Sequence, residues 1–214
     1  MELPEGCIAA ILCRTTPVDA ARLAVVSKTF YSAADSDAVW NHFLPSDYHS
    51  IVSQSPSLAN APSNKALYLA LSDRPVIIDH GKKSFQLDRK SGKKCYMLCA
   101  RALSIIWGDD ERYWQWINLP ESRFPEVAEL RDVCWLEIRG MMNTIALSPN
   151  TEYVAFLVFN MIDSHGFHSR PVELSVSIIG GHSSNKYVCL DPNLNERPHI
   201  RIQGLQRPSV RSDG

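Results

Sequence analysis

Residues 95–103 read CYMLCARAL, and their period decides how the chain divides. Cys95, Met97 and Cys99 fall on one face of an extended chain, Tyr96, Leu98 and Ala100 on the other. The same period recurs from about residue 76 onward. VCWLEIR (133–139) sends Val133 and Trp135 one way and Cys134, Leu136 and Ile138 the other, so Trp135 reads as core. YVAFLVF (153–159) is apolar on both faces and is expected to be a central strand covered on each side. VELSVSIIG (172–180) alternates with Val172, Leu174, Val176 and Ile178 inward. KKSFQLDRKSGKK (82–94) reads as a hairpin carrying solvated lysines. Ser-Pro-Asn and Gly-Gly signals separate the strands, a pattern that favours an antiparallel sandwich.

Before residue 76 the spacing is helical. Thr16 can cap a helix that begins at Pro17, with Asp19 near the positive end of its dipole and Ala20, Leu23, Ala24 and Val26 recurring along it. Ile8, Ile11 and Leu12 share a face of a shorter segment before it. A third segment, from near Ser36, groups Val39, Trp40 and Phe43. SIVSQSPSLANAPS (50–63) reads as a connector, and NKALYLALS (64–72) as an amphipathic helix with Leu67 and Leu71 inward. The expected architecture is α+β: a helical module over 1–48, a linker and helix over 49–75, and an antiparallel β domain over 76–214. Helices this short carry more apolar surface than they can bury among themselves, so a partner is expected to cover the surplus.

Composition narrows the function classes. The 22 Lys and Arg nearly cancel the 23 Asp and Glu, and no basic stripe follows the spacing of a phosphate backbone, so nucleic acid is not an expected partner. No apolar run approaches the ~20 residues that cross a bilayer, so no membrane is expected. MELPEGCIAAIL lacks the basic start of a secretory signal. The six cysteines include no CxxC pair, which points to a reducing compartment rather than a disulfide framework or a RING-type zinc site. His165 and His168 in HGFH have no cysteine nearby and are not read as metal ligands. No Gly-x-Ser-x-Gly, Walker loop or HExxH is present, so the chain reads as non-catalytic and without a cofactor.

LPEGCIAAILCRTTPVDAARLAVVSKTFYSAADSDAVWNHFL (3–44) resembles an F-box, from Leu3-Pro4 through Pro17, Leu23, Val26-Ser27-Lys28 and Phe30 to Trp40. KKSFQLDRKSGKKCYML, ALSIIWGDDERYWQW (102–116), FPEVAELRDVCWLEIRG (124–140) and YVAFLVF resemble the phloem protein 2 lectin domain, related to the tobacco agglutinin. The combination is similar to the plant F-box proteins of the phloem protein 2-B type. The resemblance implies a jelly-roll-like sandwich and docking on a Skp-type adaptor that bridges to a cullin ubiquitin ligase. It also implies binding of N-acetylglucosamine oligomers or related glycans. Carried over by position, Leu3, Pro4, Ile8, Ile11, Leu12, Pro17, Leu23 and Val26 face the adaptor or support that face. The same residues could instead form the module's own core. In that family further strands follow the point where RPSVRSDG (207–214) ends this sequence, so the resemblance implies a sandwich lacking its last strands.

A pyranose has an apolar C–H face and a hydroxyl rim, which an indole can cover and carboxylates can accept from. By resemblance, Trp107 and Trp114 match the ring-bearing positions of the lectin family, and Asp109, Asp110 and Glu111 are the rim acceptors. Trp114 and Trp116 share a parity, so in a strand both face one side and either could be core. Two functions follow: a ligase substrate receptor, or a nucleocytoplasmic lectin with no ligase role. Both place the chain in the cytosol or nucleus.

Overall fold

The computed structural model describes residues 3–161, 167, 171–188 and 190, together with the backbone of 201–206. His165, His168, Cys189 and the terminal RPSVRSDG, all considered above, lie outside the described residues. The chain divides into two compact units, one ending at Ser148 and one beginning at Pro149.

The first unit opens with helices α1 Glu5–Leu12, α2 Pro17–Leu23, α3 Lys28–Asp35, α4 Asp37–Phe43, α5 Tyr48–Val52 and α6 Asn64–Asp73. Local chemistry sets several of their starts. Thr16 Oγ1 accepts the Asp19 N–H at 3.2 Å, and Pro17 takes the first helical position, where a missing N–H costs nothing. Ser27 and Ser63 accept from the N–H groups of Phe30 and Ala66 at 3.2 and 3.1 Å and so open α3 and α6. The connector expected over 50–63 contains part of α5 and a 3-10 turn over Pro56–Leu58, because Ile51 is drawn into the core.

Ile8, Leu12, Ala20, Ala33, Ala34 and Val39 form a first core, where three alanines let the helices approach closely. Trp40, Leu44, Ile51, Leu67, Tyr68, Leu71, Val76, Phe85 and Leu87 form a second. The second core crosses from helix to sheet. Strands β1 Val76–Ile78, β2 Lys83–Leu87 and β3 Lys94–Leu98 make an antiparallel meander in which Phe85 lies opposite both Val76 and Tyr96. The turn between β2 and β3 docks on the helices: Tyr68 Oη donates to the carbonyls of Asp88 and Arg89 at 3.1 and 3.2 Å. Gly92 sits there at φ +71°, where a Cβ would stand 3.4 Å from the Phe43 carbonyl oxygen and the Pro17 ring. The change of period at residue 76 is therefore not a break in packing.

Further along the first unit, β4 Ser104–Ile105 pairs with β7 Ile138–Arg139, and β5 Trp114–Ile117 with β6 Val127–Leu130. In the second unit β8 Glu152–Phe156 pairs with β11 Arg201–Gln206, and β9 Val172–Ser177 with β10 Ser183–Val188. Every described strand pair is antiparallel, and the chain is α+β, a short helical region followed by a strand-rich one. Along β9, half-buried Val172, Leu174 and Val176 alternate with exposed Glu173, Ser175 and Ser177, as the period of two requires. No described helix is long and apolar enough to cross a membrane.

Three expectations are corrected. Trp135 is 63% exposed, because 133–137 lies outside any described strand and only Ile138–Arg139 pairs, so parity there does not decide facing. YVAFLVF is not covered on each face: Phe156, Val158 and Phe159 are exposed, and β8 pairs on one side among the described residues. Lys94 is not solvated with the other lysines of its hairpin. It is buried, with Nζ 2.7 Å from the Asp47 carboxylate and its own N–H donating to Ser148 Oγ at 3.0 Å.

Candidate functional sites

The helical module sorts its sequence-assigned contact residues by depth. Ile8 and Leu12, four apart on α1, point into the first core with Ala20, and Pro17 is also buried. Of the sequence-assigned contact residues, Ile8, Leu12 and Pro17 therefore support the module rather than present a surface. Leu23 is half-buried against the same core. Leu3, Pro4, Ile11 and Val26 are exposed, as are Val25 and Tyr31, which the sequence reading did not single out. Val25 and Val26 stand in the turn that closes α2, where their N–H groups bond to the carbonyls of Arg22 and Leu23. Helix α3, which follows that turn, is joined to α1 by a 2.6 Å hydrogen bond from Ser32 Oγ to Glu5. The module thus keeps a filled core while exposing branched apolar side chains.

The aromatic loop is divided just as sharply. Trp107 is 43% exposed at φ +54°, a left-handed conformation costly for a side chain of its size, and its ring lies 5.1 Å from that of Tyr113. Trp114 is only 4% exposed and its indole N–H donates to the Ile106 carbonyl at 3.0 Å, so it is a core residue and no sugar can stack on it. Its assignment as a ring platform is corrected on that ground. The three acids separate as well. Asp110 is taken by Arg112, whose Nη2 lies at 2.7 Å and whose backbone N–H donates at 3.0 Å. This fork holds the Asp110 carboxyl below the usual aspartate range and pushes the Arg112 guanidinium up. Asp109 and Glu111 are exposed.

Beside the loop lies a cleft of about 280 Å³, lined by Arg101, Leu103, Ser104, Ile105, Gly108, Asp109 and Trp116. Trp116 anchors it by donating its indole N–H to the Gly108 carbonyl at 2.9 Å. The Arg101 guanidinium lies 3.6 Å from the centre of the Trp116 ring and is tethered to Glu126 by bonds of 3.0 and 3.4 Å. Arg101 was missed, and Trp116 was weighed only by its parity with Trp114, because their meeting depends on a 3-10 turn over Ala100–Ala102 and the β5–β6 ladder, neither of which has a local signature. Among the described residues no group of three or more His, Cys, Asp or Glu is placed to hold a metal, and Cys7, Cys13, Cys95, Cys99 and Cys134 are free thiols.

Comparison with known proteins places both regions. Residues 1–42 match the profile of the F-box domain and residues 93–214 that of Phloem protein 2. The chain is 46% identical over 212 residues to F-box protein PP2-B10 of Arabidopsis thaliana, covering 99% of this chain and 75% of that protein. It is 49% identical over 188 residues to F-box protein PP2-B1 of the same plant, covering 87% of this chain and 55% of that protein. It is also 40% identical over 214 residues to F-box protein SKIP3 from that plant, covering 99% of this chain and 71% of that protein. No solved structure matches. With an F-box profile at one end, a Phloem protein 2 profile over more than half its length, and similarity along 99% of this chain to such a relative, the chain belongs to the F-box proteins of the phloem protein 2-B family.

Proposed function

We propose that this F-box protein is the substrate-recognition subunit of a Skp–cullin–F-box ubiquitin ligase, working in the cytosol or nucleus and performing no chemistry itself. The observation that carries the reading is the exposure of Leu3, Ile11, Val25 and Val26 on a helical module whose own core is already filled. Burying one such side chain fully contributes about 1.5–3 kcal/mol, so a few of them supply a hydrophobic centre for an adaptor interface. The adaptor bridges to the cullin, and the strand-rich region selects the target.

The test is co-purification of the intact chain with a Skp-type adaptor. Leu3→Ala with Pro4→Ala, and separately Val26→Asp, should abolish capture while circular dichroism stays unchanged. Capture that survives both changes would leave the F-box-like module without this role.

A second reading, glycan binding with no ligase role, is favoured by Trp107. Its exposed ring beside Asp109 and Glu111 could cover one sugar face, for on the order of 1–2 kcal/mol of area alone. Retention on immobilised N-acetylglucosamine oligomers should then be weak and lost in Trp107→Ala. Equal retention of the variant would remove Trp107 from the reading.

A further inference from the structure

Residues 43–92 lie between the F-box and Phloem protein 2 regions, and they supply every buried residue of the second core except Trp40. Helix α4 carries the junction. Val39 enters the first core and Trp40 the second, and Phe43 packs against both. The Trp40 ring stands 5.7 Å from that of Phe43 and 5.2 Å from that of Tyr68, while its indole N–H donates to the Ala34 carbonyl at 2.7 Å. The start of α6 is tied to the same corner. The Asn64 N–H donates to the Asp37 carboxylate at 2.7 Å, and Lys65 Nζ reaches Asp35 at 2.7 Å. Neither core can open without stripping apolar cover from α4, so the two are expected to open together.

A partner that binds the folded form and not the opened one suppresses opening wherever that opening is shared. We propose that an adaptor docked on the helical module also suppresses opening of the first sheet, β1–β3, so that the chain holds this part of its strand-rich region more firmly on the ligase than off it. The proposal rests on reading the chain as a ligase receptor. Helix α4 is the route: the exposed residues assigned to docking, Leu3, Ile11, Val25 and Val26, all precede α3, and the sheet joins the helices through the second core. A receptor released from its adaptor then opens both parts more often, and together.

The test is hydrogen exchange of the intact chain with and without a Skp-type adaptor, read peptide by peptide by mass spectrometry. With free adaptor at about a hundred times its Kd, amides that exchange only through the shared opening should slow about a hundredfold. That factor is expected in α1 and equally across β2 and β3 (83–98), while β9 and β10 (172–188), in the other unit, keep their rates. A first sheet that exchanges as fast with the adaptor as without it, beside slowed helices, overturns the proposal, and so does equal slowing of β9 and β10. The shared opening also has a test that needs no adaptor. Ile8→Val trims one methylene from the first core and should speed exchange of α1 and of β2–β3 by the same factor, about fivefold. Faster exchange in α1 alone overturns the shared opening. Failure of any adaptor to bind, with the Ile8→Val result as expected, would remove the receptor reading and the proposal with it, and leave the shared opening standing.

Discussion

Replacing Asp47 by Ala should cost far more stability than replacing its partner Lys94 by Met, although each change removes the same ion pair. The pair joins the loop before α5 to the start of β3, with Nζ 2.7 Å from the carboxylate. Its two halves sit in different surroundings: the Lys94 side chain is 8% exposed and that of Asp47 44%. Asp47→Ala leaves a buried ammonium without a counter-ion. Breaking a fully buried pair in this way costs about 3–5 kcal/mol, and water reaching Nζ through the space Asp47 vacates lowers this to about 2 kcal/mol. Lys94→Met keeps most of the stem in its slot and strands only a carboxylate that water already reaches, so its cost should stay within about 1 kcal/mol.

The double variant then decides the matter. It has no buried charge to strand, so it should fall close to Lys94→Met alone, giving a coupling of about 2 kcal/mol. All five tryptophans lie in the unit that ends at Ser148, so urea unfolding followed by tryptophan fluorescence reports on that unit. Equal losses in the two single variants, or simple additivity in the double, would refute the reasoning and mean that Lys94 is solvated in the folded chain.

Three further outcomes are expected. Burial pushes the Tyr68 phenol up to about 12. Because this lies above the unfolded value of about 10, its contribution is complete below that pH and is lost as pH rises toward the folded value. Ultraviolet titration should show a late transition that is absent in Tyr68→Phe, a variant that should also lose about 1 kcal/mol with its hydrogen bonds to Asp88 and Arg89. Donation from Ser91 holds the Asp88 carboxyl below the usual range, so its contribution is present above about pH 3.9 and is lost as pH falls through the depressed value. Ser91→Ala should flatten the acid limb of the unfolding curve. Trp135→Ser should change stability by no more than about 0.5 kcal/mol, as befits a 63% exposed side chain, and a loss several times larger would place it in a core.

Some of this was legible because the signals are local. Thr16-Pro17 with Asp19 announces a helix start, and the structure makes the bond those residues predict. Leu67 and Leu71 share the inner face of α6, and β9 alternates as its residues require. Helix α3 escaped notice although Phe30, Ala33 and Ala34 follow helical spacing toward the core, because two of the three are alanines, whose apolar weight in the sequence is small. Trp135 and YVAFLVF misled for the opposite reason. A period of two, or a run without polar breaks, states how a segment would sit in a sheet but not whether a neighbouring strand arrives to make one. The candidate cleft was illegible in a third way. Asp109 and Asp110 are adjacent and chemically identical, and only the positions of Arg112 and Arg101 decide that one is neutralised and the other is not.

The same long-range contacts bear on how a receptor of this kind would work. An F-box joined to its target-reading region by a loose tether would let the target wander relative to the adaptor. Here the tether has been absorbed: Tyr68 of α6 holds the β2–β3 turn, Gly92 of that turn fits against the Phe43 carbonyl and the Pro17 ring, and Lys94 is pinned to Asp47. The helices that would meet an adaptor and the first strands of the target-reading region belong to one compact unit, which ends at Ser148. Loosening the turn, for example with Gly92→Val at φ +71°, should therefore leave adaptor capture intact. It should reduce ubiquitin transfer to a target held by the strand-rich region, because the target would no longer be presented at one distance. Equal losses of capture and transfer would show instead that the turn serves only to keep the helices folded.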